Sequence, residues 1–182
     1  MKPKISVFLA TSLDGFIARK DGSLNWLNNA NTVVPQGEDC GFRAFMGSVD
    51  TLVMGRITFE QILSFGEWPY GATPVIVMSS RKIEIPAHLP KTVTSSSESP
   101  LQLVERLSNQ GAKHLYIDGG ITIQRFVQAG QLDEMTITLV PVILGEGKSL
   151  FGSLQKDIQL THLSTHSYDF GFVQLKYAVK LS

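Results

Sequence analysis

The residues best suited to chemistry sit at two places where an apolar run gives way to a glycine. In Leu52-Val53-Met54-Gly55-Arg56-Ile57-Thr58-Phe59-Glu60, a guanidinium and a hydroxyl follow that glycine at once. Gly55 lets the backbone approach a ligand closely, and the unpaired N–H groups of a first helical turn are donors aimed at it. The helix dipole favours an anion there, and Arg56 adds a full positive charge. Alone, the pattern fits an ordinary strand–turn–helix with a surface arginine equally well. A second joint, Leu115-Tyr116-Ile117-Asp118-Gly119-Gly120-Ile121, tips the balance, because two such joints can hold the two ends of one dinucleotide. A third polar cluster, Ser79-Ser80-Arg81, also follows an apolar run. The helix starts at Thr58 and Gly120 are expected to take a pyrophosphate, with Ile121 and Thr122 beside it. Ser79, Ser80 and one or both of Arg56 and Arg81 are expected to take a 2′-phosphate, favouring NADP over NAD. No G-x-G-x-x-G is present, so a Rossmann fingerprint is not the warrant.

Such joints need a sheet to align them. Ile5 to Ala10 is a continuous apolar run, the mark of a strand buried on both faces and central in a parallel or mixed sheet. Thr51 to Met54, Pro74 to Met78, Thr92 to Thr94 and His114 to Ile117 read as further strands. Helices are expected after Glu38 (Phe42, Phe45, Met46), from Thr58 to Leu63, from Ser99 and after Gly119-Gly120. Ser99, Pro100 and Gln102 form a capping-box start, with Leu101, Val104 and Leu107 as the apolar stripe. Asn25-Trp26-Leu27 reads as an aromatic in a loop, and Asn28 to Gly37 as a surface excursion. Beyond Gly130 the alternation of strand and helix ceases. Glu134 to Ile143 is a long strand, and Ile158 to His166 pairs with Gly171 to Leu181 around Tyr168-Asp169-Phe170-Gly171. The expected fold is α/β, a mixed central sheet with helices on both faces and a C-terminal antiparallel hairpin. In open α/β sheets ligands sit at the carboxyl ends of the strands, so the three polar clusters should share one rim.

The 182 residues suffice for one domain, 1–182, with a core that needs neither disulfide nor metal. A composition 43% hydrophobic and 18% charged is that of a globular chain. With zero formal net charge and no block of like charge, nucleic acid and anionic membrane are poor partners. The first apolar run is too short for a secretory signal or a span, which suggests a cytoplasmic protein. Cys40 is the only cysteine, and no metal site is expected; His162 and His166 stand four apart on a strand rather than a helix.

In their order along nearly the whole chain, Ser12-Leu13-Asp14-Gly15-Phe16-Ile17-Ala18, Trp26, Met54-Gly55-Arg56-Ile57-Thr58, Ser79-Ser80 and Ile117-Asp118-Gly119-Gly120 resemble the dihydrofolate reductase superfold. Within it, the chain is similar to the reductase domain of the bifunctional riboflavin-pathway deaminase/reductase, of which Leu144-Gly145-Glu146-Gly147 to Leu150-Phe151 is typical. The resemblance implies an NADPH-dependent reductase that passes hydride to a small pteridine- or pyrimidine-like heterocycle. It puts Ala10 and Ile17 beside the nicotinamide, and Trp26 in a mobile loop over it. Gly55, Arg56 and Thr58 would hold phosphates, Ser79 and Ser80 the adenosine end, and Gly119 to Thr122 the pyrophosphate. Asp14, Trp26 and Thr138 fall on the substrate side, Thr138 matching a threonine behind the pocket of folate reductases. A homodimer joined through the sheet edge or terminal strands is implied as well.

The chain also departs from the pattern. Folate reductases hold the pterin with a buried carboxylate on the helix after the Trp loop. Asp39 is the candidate for that role and, with water, for proton donor; an acid favoured by a helix N-terminus is the rival reading. There is no H-x-E or P-C-x-x-C, hence no zinc deaminase, and no extra set of arginines for a ribose phosphate. Two other functions stay open: a dihydrofolate reductase proper, and a non-catalytic nucleotide-binding protein that kept the fold.

Overall fold

The structure, a computed structural model, describes residues 1–180; Leu181, assigned above to the last strand, lies outside the described residues. Its frame is an eight-stranded sheet. In chain order the strands are β1 (Lys4–Ser12), β3 (Thr51–Gly55), β4 (Val75–Met78), β5 (Val93–Ser96), β6 (His114–Asp118), β7 (Glu134–Val140), β9 (Leu160–Ser167) and β10 (Val173–Val179). They lie side by side as β5-β4-β3-β6-β1-β7-β10-β9. The first six run parallel, and β10 is antiparallel to both β7 and β9. Two short strands, β2 (Phe16–Ala18) and β8 (Lys148–Ser149), form a small antiparallel sheet of their own. The glycine loop around Gly147 therefore belongs to a strap that pairs with the chain just after β1.

The helices are α1 (Asn25–Ala30), α2 (Phe42–Met46), α3 (Arg56–Ser64), α4 (Pro100–Asn109) and α5 (Gly120–Gln128), with one 3₁₀ turn at Asn31–Val33. Successive side chains of a strand point to opposite faces, and each face of the sheet is covered. Val53, Leu115, Ile117, Ile5 and Val7 pack with Leu103, Val104 and Leu107 of α4 and Ile123, Phe126 and Val127 of α5. Leu52, Met54, Val75, Val77 and Tyr116 pack with Phe59 and Ile62 of α3, and with Phe42 and Phe45 of α2. Phe59 and Phe126 are almost wholly buried, each contributing about 1.5–3 kcal/mol of transfer free energy.

Two local expectations are corrected. The buried stripe of α4 is Leu103, Val104 and Leu107, while Leu101 is exposed. Leu101 is the second helical residue, and the capping box that Ser99 and Gln102 do make turns it outward. Trp26 is not in a loop: it lies in α1, is 3% exposed, and packs on Val140 and Phe172. One large apolar residue among asparagines has no periodicity to announce a helix; its burial creates one. No helix among the described residues is long and apolar enough to cross a membrane.

Candidate active site

The sheet places the three polar clusters on one rim. In the register, Gly55 stands opposite Met78 and Met54 opposite Asp118, so β3, β4 and β6 end side by side. The turn after β6 touches the helix after β3. A Cβ built on Gly55 would lie 2.6 Å from Thr122 Oγ1, and one on Gly119 would collide with the Thr58 hydroxyl. Gly119 also has φ +88°, a conformation that side-chain-bearing residues rarely adopt. A Cβ on Gly120 would meet Ile17 Cδ1 at 2.6 Å, so β2 leans on the same joint. Neither α3 nor α5, each nine residues long, has a side chain capping its first turn. Their leading N–H groups are left to a ligand or water.

The flanking polar residues are less committed. Arg56 Nη1 is 2.7 Å from Glu60 Oε1, one turn along α3. Ser79 Oγ accepts from Arg81 N at 3.0 Å, a turn that holds Ser80 and Arg81 exposed beyond β4. Ile57 and Ile121, the second residues of α3 and α5, are both more than half exposed.

On the substrate side the sequence candidates separate. Ala10 is half-buried opposite Thr138. Thr138 is buried, and its Oγ1 accepts from Gln174 Nε2 at 3.0 Å. The same Gln174 Nε2 is 2.9 Å from Cys40 O. Asp14 is engaged elsewhere. Its carboxylate accepts from Ser12 Oγ (2.6 Å), Leu144 N (3.1 Å) and Gly145 N (2.7 Å), tying the end of β1 to the strap. These bonds hold it below the usual carboxylate range, Ser12 contributing most. Asp39 accepts from Gly41 N (2.9 Å) and Arg43 N (3.1 Å) ahead of α2, so the helix-terminal reading describes its hydrogen bonds. Cys40 is not in a helix but in the turn before α2, with φ 53°.

A half-buried acid, Asp118, is the last residue of β6. Its side chain lies on the sheet face of Tyr116, two residues back, and accepts from Gly119 N at 2.8 Å. Desolvation raises its carboxyl above the usual carboxylate range, although the Gly119 amide and the neighbouring Tyr116 hydroxyl act the other way. Tyr116 Oη donates to Phe8 O at 2.9 Å. Desolvation, with Asp118 nearby, raises both Tyr116 and Tyr70 above the ordinary phenol range. The signal that could have found this group is an acid closing an otherwise apolar strand, in phase with a tyrosine. His162 and His166 hold no common ligand: one contacts Thr165 Oγ1 at 2.8 Å, the other stacks edge-on against Tyr168.

Residues 3–173 match the family described as the RibD C-terminal domain. The chain is 31% identical to the Bacillus subtilis (strain 168) uncharacterized protein YwjB, over 97% of this chain and 98% of that protein. It superposes with TM-score 0.90 and 39% identity on a Shewanella sp. PV-4 protein provisionally described as a riboflavin biosynthesis protein, with 99% of each chain covered. Dihydrofolate reductase from Enterococcus faecalis, complexed with NADP(H), superposes with TM-score 0.62 at 16% identity. That superposition covers 97% of this chain and 96% of the other. The fold is therefore dihydrofolate reductase-like, as the ordered motifs suggested.

Proposed function

We propose, from the premise that the chain belongs to the RibD C-terminal domain family, that it is an NADPH-dependent reductase of a small pteridine- or pyrimidine-like heterocycle. The observation that carries this reading is the contact of the two glycine joints, Gly119 against Thr58 and Gly55 against Thr122. A Cβ at either joint would strike a threonine hydroxyl, so glycine lets two uncapped helix starts come this close, which suits a pyrophosphate. Gly55, Thr58, Gly119, Gly120, Ile121 and Thr122 would hold that group. Arg56, Ser79, Ser80 and Arg81 would hold the 2′-phosphate, and Ala10 and Ile17 would wall the nicotinamide, with Trp26 behind. When bound, NADPH supplies the hydride, to the carbon of a C=N bond, and is released as NADP⁺. The chain's own task is to orient that carbon and to bring a proton to the nitrogen. Asp118 suits the proton better than Asp39. Burial favours its protonated form, whereas the Asp39 oxygens already accept backbone N–H groups.

The 182 residues would act as one cytoplasmic domain on a small molecule, with no nucleic acid or membrane as partner. Homodimerisation is best supported by β9, an edge strand whose eight residues are all exposed. The test is titration with NADPH and NADH, followed by energy transfer from tryptophan to the reduced nicotinamide. Saturable binding with preference for NADPH is expected, and no binding of either would end this reading.

A further inference from the structure

Asp14 closes a clasp between two segments far apart in the sequence. Its Oδ1 accepts from Ser12 Oγ at 2.6 Å and from Leu144 N at 3.1 Å, and its Oδ2 from Gly145 N at 2.7 Å. On either side of this pin, the chain after β1 and the strap after β7 are bound again. Leu13 N donates to Val142 O at 2.8 Å and Leu150 N to Gly15 O at 3.0 Å, and β2 pairs with β8 at Phe16–Ser149 and Ala18–Lys148. Gly147 lies flat on β2, where a Cβ would collide with Ala18 O and sit 3.2 Å from the Phe16 ring. Ser12 Oγ also accepts from Phe16 N at 3.0 Å, so the hydroxyl that steadies Asp14 sets the first residue of β2 as well.

The clasp delivers one side chain to the cofactor cradle. Ile17, the middle residue of β2, lies against Gly120, where a Cβ would meet Ile17 Cδ1 at 2.6 Å. Gly120 opens α5, one of the two helix starts proposed for the pyrophosphate. The far end of the strap is anchored on that same helix. Leu150 is 2% exposed within the core layer of α4 and α5, and Gln124 Nε2 lies 3.1 Å from Ser149 O and 3.2 Å from Leu150 O. β2 has three residues, and β8 is its one partner strand among the described residues. A two-stranded ribbon this short does not hold its shape in water unaided. The place of Ile17 therefore depends on Asp14, whose oxygens are taken up by Ser12 and by amides of the strap.

We infer that Asp14 is a positioning residue for the nicotinamide end of the cofactor: it pins the strap, the strap fixes β2, and β2 holds Ile17 against Gly120 as the wall on which the nicotinamide rests. This rests on the reductase reading for the identity of the ligand. A wall fixed before the coenzyme arrives lowers the ordering cost of binding. Loosening the clasp then weakens only what touches Ile17, and the phosphate contacts at Gly55, Thr58 and Gly119 stay as they are.

The experiment uses the full chain and two ligands that differ at the nicotinamide. One is NADPH; the other is 2′-phospho-ADP-ribose, which keeps the pyrophosphate and both sugars. Calorimetry gives both affinities for the parent, Asp14→Asn, Gly147→Ala, Ile17→Ala and the double variant Asp14→Asn/Ile17→Ala, and thermal melts check that each is folded. Asp14→Asn keeps one oxygen but turns an amide NH₂ on one of the donors that the carboxylate accepts from, and Gly147→Ala opens the strap without touching Asp14, so the clasp is tested from both sides. Each should weaken NADPH about tenfold and 2′-phospho-ADP-ribose by less than about twofold. A loss of structure alone would weaken the two ligands alike. Ile17→Ala should show the same selectivity, and the double variant should lose no more than Ile17→Ala, because both act through one contact. A folded Asp14→Asn protein that binds NADPH like the parent, equal losses for the two ligands, or additive losses in the double variant would overturn the inference and leave the reductase reading standing. A parent that binds neither ligand would end that reading and the inference with it.

Discussion

Gly119 approaches Thr58 so closely that a single methyl group on its α-carbon would strike the threonine hydroxyl. Thr58 lies in the first turn of α3 and Gly119 immediately precedes α5, so this contact sets the distance between the two candidate phosphate sites. Gly119→Ala faces a collision and a φ of +88° together. It should cost about 1–3 kcal/mol in stability and weaken NADPH by tenfold or more. Thr58→Ser keeps the hydroxyl that the joint is built around and should fold normally. Thermal melts with cofactor titrations check both, and a Gly119→Ala protein that melts and binds like the parent would show that the joint has slack.

Arg56 is held by Glu60 at 2.7 Å, on a partly exposed helix face. An exposed i,i+4 pair is worth only about 0.3–0.5 kcal/mol, so a phosphate can displace Glu60. Glu60→Gln should therefore tighten NADPH modestly while leaving melting temperature nearly unchanged. Arg56→Ala should weaken NADPH about tenfold or more and NADH much less. Equal losses for the two coenzymes would remove Arg56 from the 2′-phosphate site.

The order of βα units, the rim and the joints were legible because each depends on local chemistry. Ile5 to Ala10 could only be a doubly buried strand, and Ser99-Pro100-Gln102 could only open a helix. What stayed hidden depends on contacts far apart in sequence. Gln174 meets Thr138 and Cys40 only once β10 lies beside β7. Asp14 reads from the motif as a substrate-side residue, and its bonds run to amides about 130 positions away. Asp118 was in plain view within the second joint. Its raised carboxyl comes from the desolvation that the folded surroundings impose, which no spacing encodes.

His114 supplies a pH dependence at the opposite end of the strands. Its Nδ1 is 3.1 Å from Ser48 O and its Nε2 is 2.9 Å from Ser6 Oγ, which fits a neutral ring donating from Nδ1 and accepting at Nε2. Burial lowers its pKa below the ordinary 6.5. The unfolded chain then binds the extra proton first. This contribution is complete above the unfolded value and is lost as pH falls below about 6.5. Urea midpoints measured from pH 8 to pH 5 should decline for the parent and stay flatter for His114→Gln, whose neutral amide titrates nowhere in that range. Parallel curves would mean that His114 is not the titrating group.

Asp118 offers the sharpest combined test, because burial sets its stability and its chemistry in opposite directions. Its carboxyl is raised in the folded protein, so the folded state holds a proton that the unfolded chain releases earlier. Stability from this group is present below the ordinary value of 3.8 and declines as pH rises through the raised one. At neutral pH Asp118 is therefore a cost, and Asp118→Asn, which keeps an acceptor for Gly119 N, should raise the melting temperature. The amide cannot deliver a proton. Turnover should fall about 10²–10⁴-fold while NADPH affinity, which the proposal assigns to the glycine joints, is kept. In the parent, turnover should fall as pH rises past the raised carboxyl, and the residual rate of Asp118→Asn should lack that limb. A variant that is more stable and equally active would leave the proton to water and reduce Asp118 to a buried liability.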